Sequence, residues 1–186
     1  MKIINYFEAK NKEYYLKKIS KSDWGAGQYL AYLLKENKFF ELVGEKSRVL
    51  MLISGENLIS FCTLAEMDDV QPTDLTPWIG WIYTFPAYRG KRMAEELLAH
   101  AEALAKQNGA THTHISTNHV GLYEKYGYEF FTSAKDVEGE RPAFPFALKI
   151  DGHKRTSFLR ICVVPRQRSC RTRALIFRSP KAPLKR

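Results

Sequence analysis

The chain has 186 residues, of which 45% are hydrophobic and 26% charged, and its formal net charge is +9 at pH 7. These fractions are those of a globular protein rather than a disordered or fibrous one, and the length suits one well-packed domain. The longest uncharged apolar runs, such as residues 49–53, are far too short to cross a bilayer, so no membrane span is expected.

The cysteines and the first residues bear on the cellular compartment. Cys62, Cys162 and Cys170 are odd in number and contain no Cys-x-x-Cys pair, so neither a disulfide framework nor a thiolate zinc site is expected. Residues 1–7 lack the long apolar core and the small-residue cleavage site of a signal peptide. The cytoplasm is therefore the expected location.

The positive charge is concentrated at one end of the chain. Residues 151–186 contain 11 Lys or Arg and one acid, whereas residues 1–150 contain 18 basic and 19 acidic residues. This division predicts a near-neutral domain over residues 1–150 and a basic, poorly ordered extension over residues 151–186. Two alternatives stay open: a basic arm that binds polyanions non-specifically, and sequence outside the ancestral gene product. No RNA- or DNA-reading motif accompanies the charges, so nucleic acid is expected only as a non-specific partner.

Apolar periodicity predicts helices and a hairpin in the first part of the chain. Three-and-four spacing of apolar residues indicates helices over residues 13–20 and 23–37, with Asp23 as the N-cap of the second. Residues 48–53 and 58–64 are strand-like and flank a turn, which predicts a hairpin. A polar, aspartate-rich loop follows.

The middle of the chain has the pattern of a strand–helix–strand unit. Residues 78–85 are β-branched and aromatic, as in a buried strand, and residues 91–108 carry a single apolar stripe typical of an amphipathic helix. The remaining predicted elements are a strand over 111–117, a short helix over 121–126, and strands over 128–132 and 143–150. Together they predict an α/β fold with a mixed sheet of six to seven strands flanked by about four helices.

A basic turn joins the predicted buried strand to the amphipathic helix. Pro86 ends the strand because it cannot donate to the ladder, and Gly90 allows the backbone to approach a ligand closely. The first-turn amides of the helix then face the same space as Arg89, Lys91 and Arg92, which suits an anionic phosphate group. The alternative is an ordinary helix start with solvated basic side chains.

Two motifs resemble the cofactor half of the GNAT N-acetyltransferase family. Residues 89–94, Arg-Gly-Lys-Arg-Met-Ala, are similar to the family's turn Arg/Gln-x-x-Gly-x-Gly/Ala, except that Arg92 stands where the family usually has glycine. Residues 122–128, Leu-Tyr-Glu-Lys-Tyr-Gly-Tyr, are similar to its Leu-Tyr-x-Lys-x-Gly-Phe element. The resemblance covers residues 1–150 in element order and implies the GNAT fold, with acetyl-CoA as co-substrate and no metal.

The resemblance also implies a set of site residues. The turn would hold the pyrophosphate of acetyl-CoA, the preceding strand would pair with the pantetheine amides, and Asn118 would reach the pantetheine arm. The cofactor-binding residues implied in this way are Ile82, Tyr83, Thr84, Arg89, Gly90, Lys91, Arg92, Met93, Ala94 and Asn118.

Tyr123 is implied to be the general acid. A departing thiolate whose thiol has a pKa of about 8.5 can take a proton from a positioned phenol of pKa about 10 at modest cost. The alternative role for Tyr123 is an aromatic wedge between the short helix and the sheet.

Transfer to an amine also requires a group that removes the amine's proton, since a lysine-like amine has a pKa of about 10.4. No acid occurs within residues 78–85, where many relatives place a glutamate. The candidates are Glu66, Asp68, Asp69, Asp74 and His119. Each of them has the alternative of a solvated loop residue, so the sequence does not assign the base.

Other polar and aromatic residues give weaker signals. His112 and His114 alternate along a predicted strand, but no third ligand with suitable spacing is evident, so no metal site is expected. Five aromatic residues could line a pocket for an amine-bearing acceptor or could belong to the core: Trp24, Trp78, Trp81, Tyr83 and Phe85.

The resemblance implies an N-acetyltransferase that moves the acetyl group of acetyl-CoA to a primary amine by direct transfer in a ternary complex, and the cytoplasm is its expected location. The acceptor is a small molecule or a peptide, and a homodimer is admitted because family members often dimerise. Two alternatives stay open: a non-catalytic acyl-CoA-binding or regulatory module, and a polyanion-associated protein acting through residues 151–186.

Overall fold

The structure of the protein is a computed structural model that describes residues 1–71 and 74–130 in full, apart from the Gln71 side chain, and the backbone of three later strands. The basic extension over residues 151–186, with Cys162 and Cys170, lies outside the described residues.

Ten strands and four α-helices make up the described elements. The strands are β1 (Lys2–Asn5), β2 (Arg48–Ser54), β3 (Asn57–Ala65), β4 (Val70–Gln71), β5 (Trp78–Thr84), β6 (His112–Ser116), β7 (Glu129–Phe130), β8 (Ala134–Asp136), β9 (Pro142–Ala143) and β10 (Pro145–Lys149). The helices are α1 (Lys12–Ile19), α2 (Gly25–Lys35), α3 (Phe39–Val43) and α4 (Met93–Gln107). Three single turns of 3₁₀-helix lie at Tyr6–Glu8, Pro86–Tyr88 and Tyr123–Tyr126.

Seven strands form one mixed sheet in the order β1-β2-β3-β5-β6-β10-β7. Every neighbouring pair is antiparallel except β5 and β6, which run parallel and are joined through α4. A second sheet of three short strands has the order β4-β8-β9. The α/β fold with six to seven strands and about four helices is thus confirmed.

The main sheet separates two hydrophobic cores. On one face, α1, α2 and α3 bury their apolar residues against side chains of β2 and β3 such as Met51 and Phe61. On the other face lies α4, whose apolar stripe is almost fully buried at Leu97, Leu98 and Ala101. Because each buried leucine contributes roughly 1.5–3 kcal/mol, α4 is held mainly by this packing.

The predicted N-cap of the second helix was wrong. α2 begins at Gly25, its N-cap residue is Trp24, and no side chain caps its first turn. The Asp23 carboxylate instead accepts hydrogen bonds from the Tyr83 hydroxyl and the Arg89 guanidinium. A distant phenol and a cation therefore outcompete the local backbone amides that an N-cap would serve.

Four short elements lie wholly outside the predicted ones: β1, α3, β4 and β8. Each spans five residues or fewer, so apolar periodicity has too few repeats to reveal it. β1 is fixed from outside by its antiparallel pairing with β2, which extends from Lys2 opposite Ile53 to Asn5 opposite Leu50.

Gly27 allows α2 to approach the sheet closely, which leads to a stability prediction. A Cβ atom there would lie 2.5 Å from Ser22 Oγ and 3.2 Å from Phe61 Cζ of β3. We expect Gly27→Ala to lower the free energy of unfolding by about 1 kcal/mol, because overpacking outweighs the better helix propensity of alanine. Urea denaturation measures the change.

Ser22→Ala provides the control, since it removes the nearest atom. The double variant Ser22→Ala/Gly27→Ala should lose less than the sum of the two single changes. Strict additivity would contradict the proposed steric cause.

Candidate functional site

The parallel pairing of β5 and β6 is very short. Its register contains one pair, Trp78 opposite His114, beside the hydrogen bond of 3.0 Å from the His114 amide to the Pro77 carbonyl. On its other edge β5 stays paired with β3 as far as Thr84 opposite Ser60. The segment with Ile82 and Tyr83 therefore has one laddered edge and one edge directed towards an opening between β5 and β6.

A bulge lies in β5 beside this opening. Tyr83 pairs with Phe61 and Gly80 pairs with Thr63, so Trp81 and Ile82 together oppose one residue of β3. Trp81 has a φ of +45°, and its indole Nε1 donates a hydrogen bond of 2.8 Å to the Ala26 carbonyl of α2. Bulges of this kind redirect side chains and interrupt ladders, often next to functional sites.

The turn after β5 leads to the N-terminus of α4. This 15-residue helix has no side-chain hydrogen bond at its N-cap, Arg92, and the preceding Gly90 has a φ of +77° with open space where a Cβ would lie. Lys91 is exposed, and Met93 and Ala94 are half-buried. An uncapped helix start offers amide donors and a positive dipole end, which is an arrangement that binds phosphate groups.

The backbone conformation at Arg92 is one that glycine adopts more easily than other residues. Its φ of +57° lies in the left-handed region, where a side chain costs roughly 1–2 kcal/mol. The exposed guanidinium turns back along α4, and its Nε lies 2.6 Å from Glu95 Oε2. The backbone of the turn thus keeps the shape that glycine would give it.

Arg89 connects the turn to the loop before α2. Its Nη2 lies 2.7 Å from Asp23 Oδ1, and its Nε donates a hydrogen bond of 3.0 Å to the Thr84 carbonyl. The hydrogen bond from Arg89, followed by the one from Tyr83, holds the pKa of Asp23 below its usual range. The role of Arg89 in holding a pyrophosphate stays a prediction, since its guanidinium is paired with this carboxylate.

Tyr83 forms the centre of an aromatic group at the end of β5. It is buried, its hydroxyl donates a hydrogen bond of 2.6 Å to Asp23 Oδ1, and Trp24 stacks on it with 5.9 Å between ring centroids. Burial raises the pKa of Tyr83, and the hydrogen bond of its hydroxyl to Asp23 raises it further. Of the other aromatic candidates, Trp78 is fully buried core, whereas Trp81 and Phe85 are half-buried.

Tyr123 lies on the α4 face of the sheet. It is 7% exposed and belongs to the core that includes Leu97, and Ile82 and Met93 pack against the same core. Burial raises the pKa of Tyr123, so the phenol stays protonated at neutral pH. The structure therefore brings Tyr123, Ile82 of the bulged strand and Met93 at the start of α4 together on one face of the sheet.

Asn118 and His119 lie in the turn after β6 and are both exposed. The His119 amide donates a hydrogen bond of 3.0 Å to Thr117 Oγ1, within that turn. Asp69 and Asp74 are exposed as well. The Glu66 carboxylate accepts a hydrogen bond of 3.0 Å from the Lys46 amide, which gives it a local structural contact.

Asp68 differs from the other candidate bases. It is half-buried, and burial, with a contribution from the neighbouring Asp69 charge, raises the pKa of its carboxyl to about 7. Its Oδ1 accepts a hydrogen bond of 2.8 Å from the Asp69 amide. Thr63 and Gly80, which lie nearby, were missed by sequence reasoning because a threonine and a glycine in buried strands carry no signal of their own.

His114, one of the two histidines of β6, makes structural contacts. His114 is buried, its Nδ1 lies 3.2 Å from the Pro77 carbonyl oxygen, and burial lowers its pKa. Within residues 1–71 and 74–130, no three histidine, cysteine or carboxylate side chains are grouped so as to hold a metal ion. None of the helices in the described part of the chain combines the length and apolarity needed to cross a bilayer.

Comparisons with known proteins agree with this geometry. Residues 45–130 match a family model described as an acetyltransferase (GNAT) domain. Among the curated proteins, a search found no match.

Solved structures share the fold. An aminoglycoside 6'-N-acetyltransferase complexed with coenzyme A is 13% identical with a TM-score of 0.61, over 83% of this chain and 99% of that one. A GNAT acetyltransferase from Elizabethkingia anophelis with acetyl-CoA bound is 14% identical with a TM-score of 0.56, over 80% and 97%. The aminoglycoside 6'-N-acetyltransferase from Enterococcus faecium is 13% identical with a TM-score of 0.57, over 83% and 99%.

The mixed sheet, with its brief β5–β6 pairing and α4 between these two strands in the chain, has the same fold as these structures. Over residues 45–130 the chain is similar to a GNAT acetyltransferase domain, and it has the fold of solved acetyltransferases of that family.

The left-handed backbone at Arg92 gives a prediction. Arg92→Gly and Arg92→Ala both remove the Glu95 ion pair, but only glycine relieves the strain at a φ of +57°. We expect the glycine variant to exceed the alanine variant by roughly 1 kcal/mol in the free energy of unfolding, measured in urea. Equal stabilities would mean that the left-handed conformation is not occupied in solution.

Proposed function

We propose that the protein transfers the acetyl group of acetyl-CoA directly to a primary amine within a ternary complex. The observation that carries this proposal is the edge of β5 at Ile82–Thr84, which has no ladder to β6 and is followed in the chain by the uncapped start of α4. Together they provide a polar backbone edge for an elongated ligand and amide donors for its phosphates.

The cofactor would lie along this edge of β5. The edge of β5 at Ile82–Thr84 has no ladder to β6 and can pair with the amides of a pantetheine arm. The amides at the start of α4 would hold the pyrophosphate, with Gly90 leaving room for it and Lys91 supplying an exposed positive charge. Asn118, at the far side of the opening after β6, is the proposed contact for the rest of the arm.

Tyr123 would complete the transfer as general acid. The amine lone pair forms the new N–C bond, the C–S bond breaks with its electrons going to sulfur, and the thiolate takes the proton of the Tyr123 hydroxyl. Because burial raises the pKa of Tyr123, the proton is present at neutral pH but its transfer is uphill, so close positioning of the thiolate is required.

The acceptor is proposed to be a cationic primary amine. The acidic side chains of residues 66–74 lie next to β5 in the chain and would favour a positive charge. The names of two structural neighbours make aminoglycosides a suitable first class for a screen. A homodimer and a cytoplasmic location stay predictions of the sequence.

Calorimetric titration of the full chain with acetyl-CoA and with CoA tests the cofactor site, and release of free thiol in the presence of an amine panel tests transfer. Binding with transfer supports the proposal. Binding without transfer to any amine would favour the non-catalytic acyl-CoA-binding module, and absence of binding would overturn both.

Removal of the Tyr123 hydroxyl gives a specific prediction. We expect Tyr123→Phe to lower kcat by about 10²-fold, the usual contribution of a general acid, with little change in acetyl-CoA affinity. Tyr126→Phe is the matched control, because Tyr126 lies in the same 3₁₀ turn and packs against the same core. Unchanged turnover in Tyr123→Phe would remove Tyr123 from the mechanism.

A further inference from the structure

Gly80 is a point at which two polar side chains of other segments meet. A Cβ atom built on Gly80 would lie 3.2 Å from Thr63 Oγ1 of β3 and 3.6 Å from Asp68 Oδ2 of the loop after β3. Gly80 is not among the residues with positive φ, so close approach rather than backbone conformation favours glycine here. A hydroxyl and a carboxylate thus converge on a part of β5 that has no side chain.

The Thr63 hydroxyl is unusual in this setting. Thr63 is 0% exposed, and its Oγ1 has no hydrogen-bond partner among the described residues. Buried hydroxyls nearly always have a partner, and one without a partner destabilises the fold. A polar group retained at such a cost, beside a half-buried carboxylate, points to a role in binding or catalysis.

This group lies beside the bulge, on the face of the sheet opposite Tyr123. Gly80 precedes the bulged residue Trp81, and Trp81 packs against the core on the α2 face. Thr63 alternates with Phe61 and Ala65, which belong to that same core. Ile82 and Tyr123 pack on the α4 face, so Asp68 and the proposed acid flank β5 from its two faces.

We propose that Asp68 is the general base that takes the proton from the acceptor amine, and that the Thr63 hydroxyl, which has no partner among the described residues, donates a hydrogen bond to this carboxylate once Asp68 is ionised. This inference rests on the proposed acetyl transfer and adds to it the residue that activates the nucleophile.

The proton balance is complete with Asp68 in this role. The acceptor enters as an ammonium and gives one proton to Asp68, which passes it to solvent. The neutral amine forms the N–C bond, and the thiolate leaves with the proton of Tyr123. The second amine proton returns to the Tyr123 phenolate, so each turnover releases one proton and yields the amide and CoA thiol.

The charges around Asp68 set the pH range in which it works. Asp69 is the titratable neighbour that acts on it, Glu66 of the same loop is engaged by the Lys46 amide, and β3 and β5 present the non-titrating Thr63 and Gly80. Burial and the Asp69 charge raise the pKa of Asp68 to about 7, so the ionised base forms as the pH rises through the neutral range.

The test uses the full chain, acetyl-CoA and two nucleophiles. Kanamycin carries protonated alkylamines and needs a base, whereas hydroxylamine is largely neutral at pH 7 and does not. We expect Asp68→Asn to lower kcat with kanamycin by 10²-fold or more, to keep kcat with hydroxylamine within a few-fold, and to leave acetyl-CoA affinity unchanged. Glu36→Gln, which changes an exposed acid at the end of α2, is the control.

Two further variants separate catalysis from structure. Asp69→Asn removes the neighbouring charge and should move the acid limb of the kcat–pH profile to lower pH. Thr63→Val removes the unpartnered hydroxyl and should raise the denaturation midpoint while lowering kcat with kanamycin, and Thr63→Ser should restore kcat. A purely structural Thr63 would not couple higher stability to lower turnover.

The stability of Asp68→Asn can be derived from the raised pKa of Asp68. Because the pKa of Asp68 is raised in the folded state, its contribution to stability is full below the unfolded pKa and is lost as the pH rises through about 7. Asp68→Asn should therefore melt above the wild-type protein at pH 8, and this difference should disappear in acid.

The outcomes decide between the proposals. Unchanged kcat with kanamycin in Asp68→Asn, or equal loss with both nucleophiles, would overturn the base assignment and leave the acetyltransferase function standing. Wild-type protein that binds acetyl-CoA but acetylates neither kanamycin nor hydroxylamine, nor any amine of the panel, would overturn both.

Discussion

The architecture depends on a difference between the two edges of β5: one edge is hydrogen-bonded along its length and the other is almost unpaired. One edge is paired with β3 from Ala65 opposite Trp78 to Ser60 opposite Thr84, which fixes the strand in the sheet. The other edge pairs with β6 at a single position. Backbone groups that a ladder would satisfy are thereby left for a ligand, and the strand is still rigid enough to present them.

The two faces of β5 carry different chemistry because the bulge at Trp81 shifts the alternation of its side chains. Ile82 packs towards α4 and Tyr123, whereas Trp81 and Tyr83 lie with α2. On the first face, burial keeps the phenol of Tyr123 protonated. The second face carries the carboxylates of Asp68, near Gly80, and of Asp23, which is bound to Tyr83. This division would let the proposed proton donor Tyr123 and the proposed proton acceptor Asp68 act near one thioester without neutralising each other.

The sequence predicted the elements that have a repeating apolar pattern. It did not predict the contacts between residues that lie far apart in the chain. The apolar stripe of α4 and the β-branched, aromatic run of β5 are long enough to predict both elements, and the sequence alone shows that Arg92 stands at a position where glycine is usual in the family. Asp23 was misassigned because its partners, Tyr83 and Arg89, lie 60 and 66 residues away and no local pattern reports them. The special position of Asp68 likewise depends on a turn and a strand that bring it against Gly80.

If Arg89 binds the pyrophosphate of the cofactor, its pairing with Asp23 links cofactor binding to the protonation of the protein. The hydrogen bond from Arg89 is the largest cause of the lowered pKa of Asp23. A pyrophosphate that attracted this guanidinium would leave Asp23 with Tyr83 as its side-chain partner and would raise the pKa of Asp23. Binding of acetyl-CoA would then be accompanied by proton uptake in mildly acidic buffer, and its apparent enthalpy would vary with the ionisation enthalpy of the buffer. By the same reciprocity, acidification would favour the cofactor-bound state over the free one.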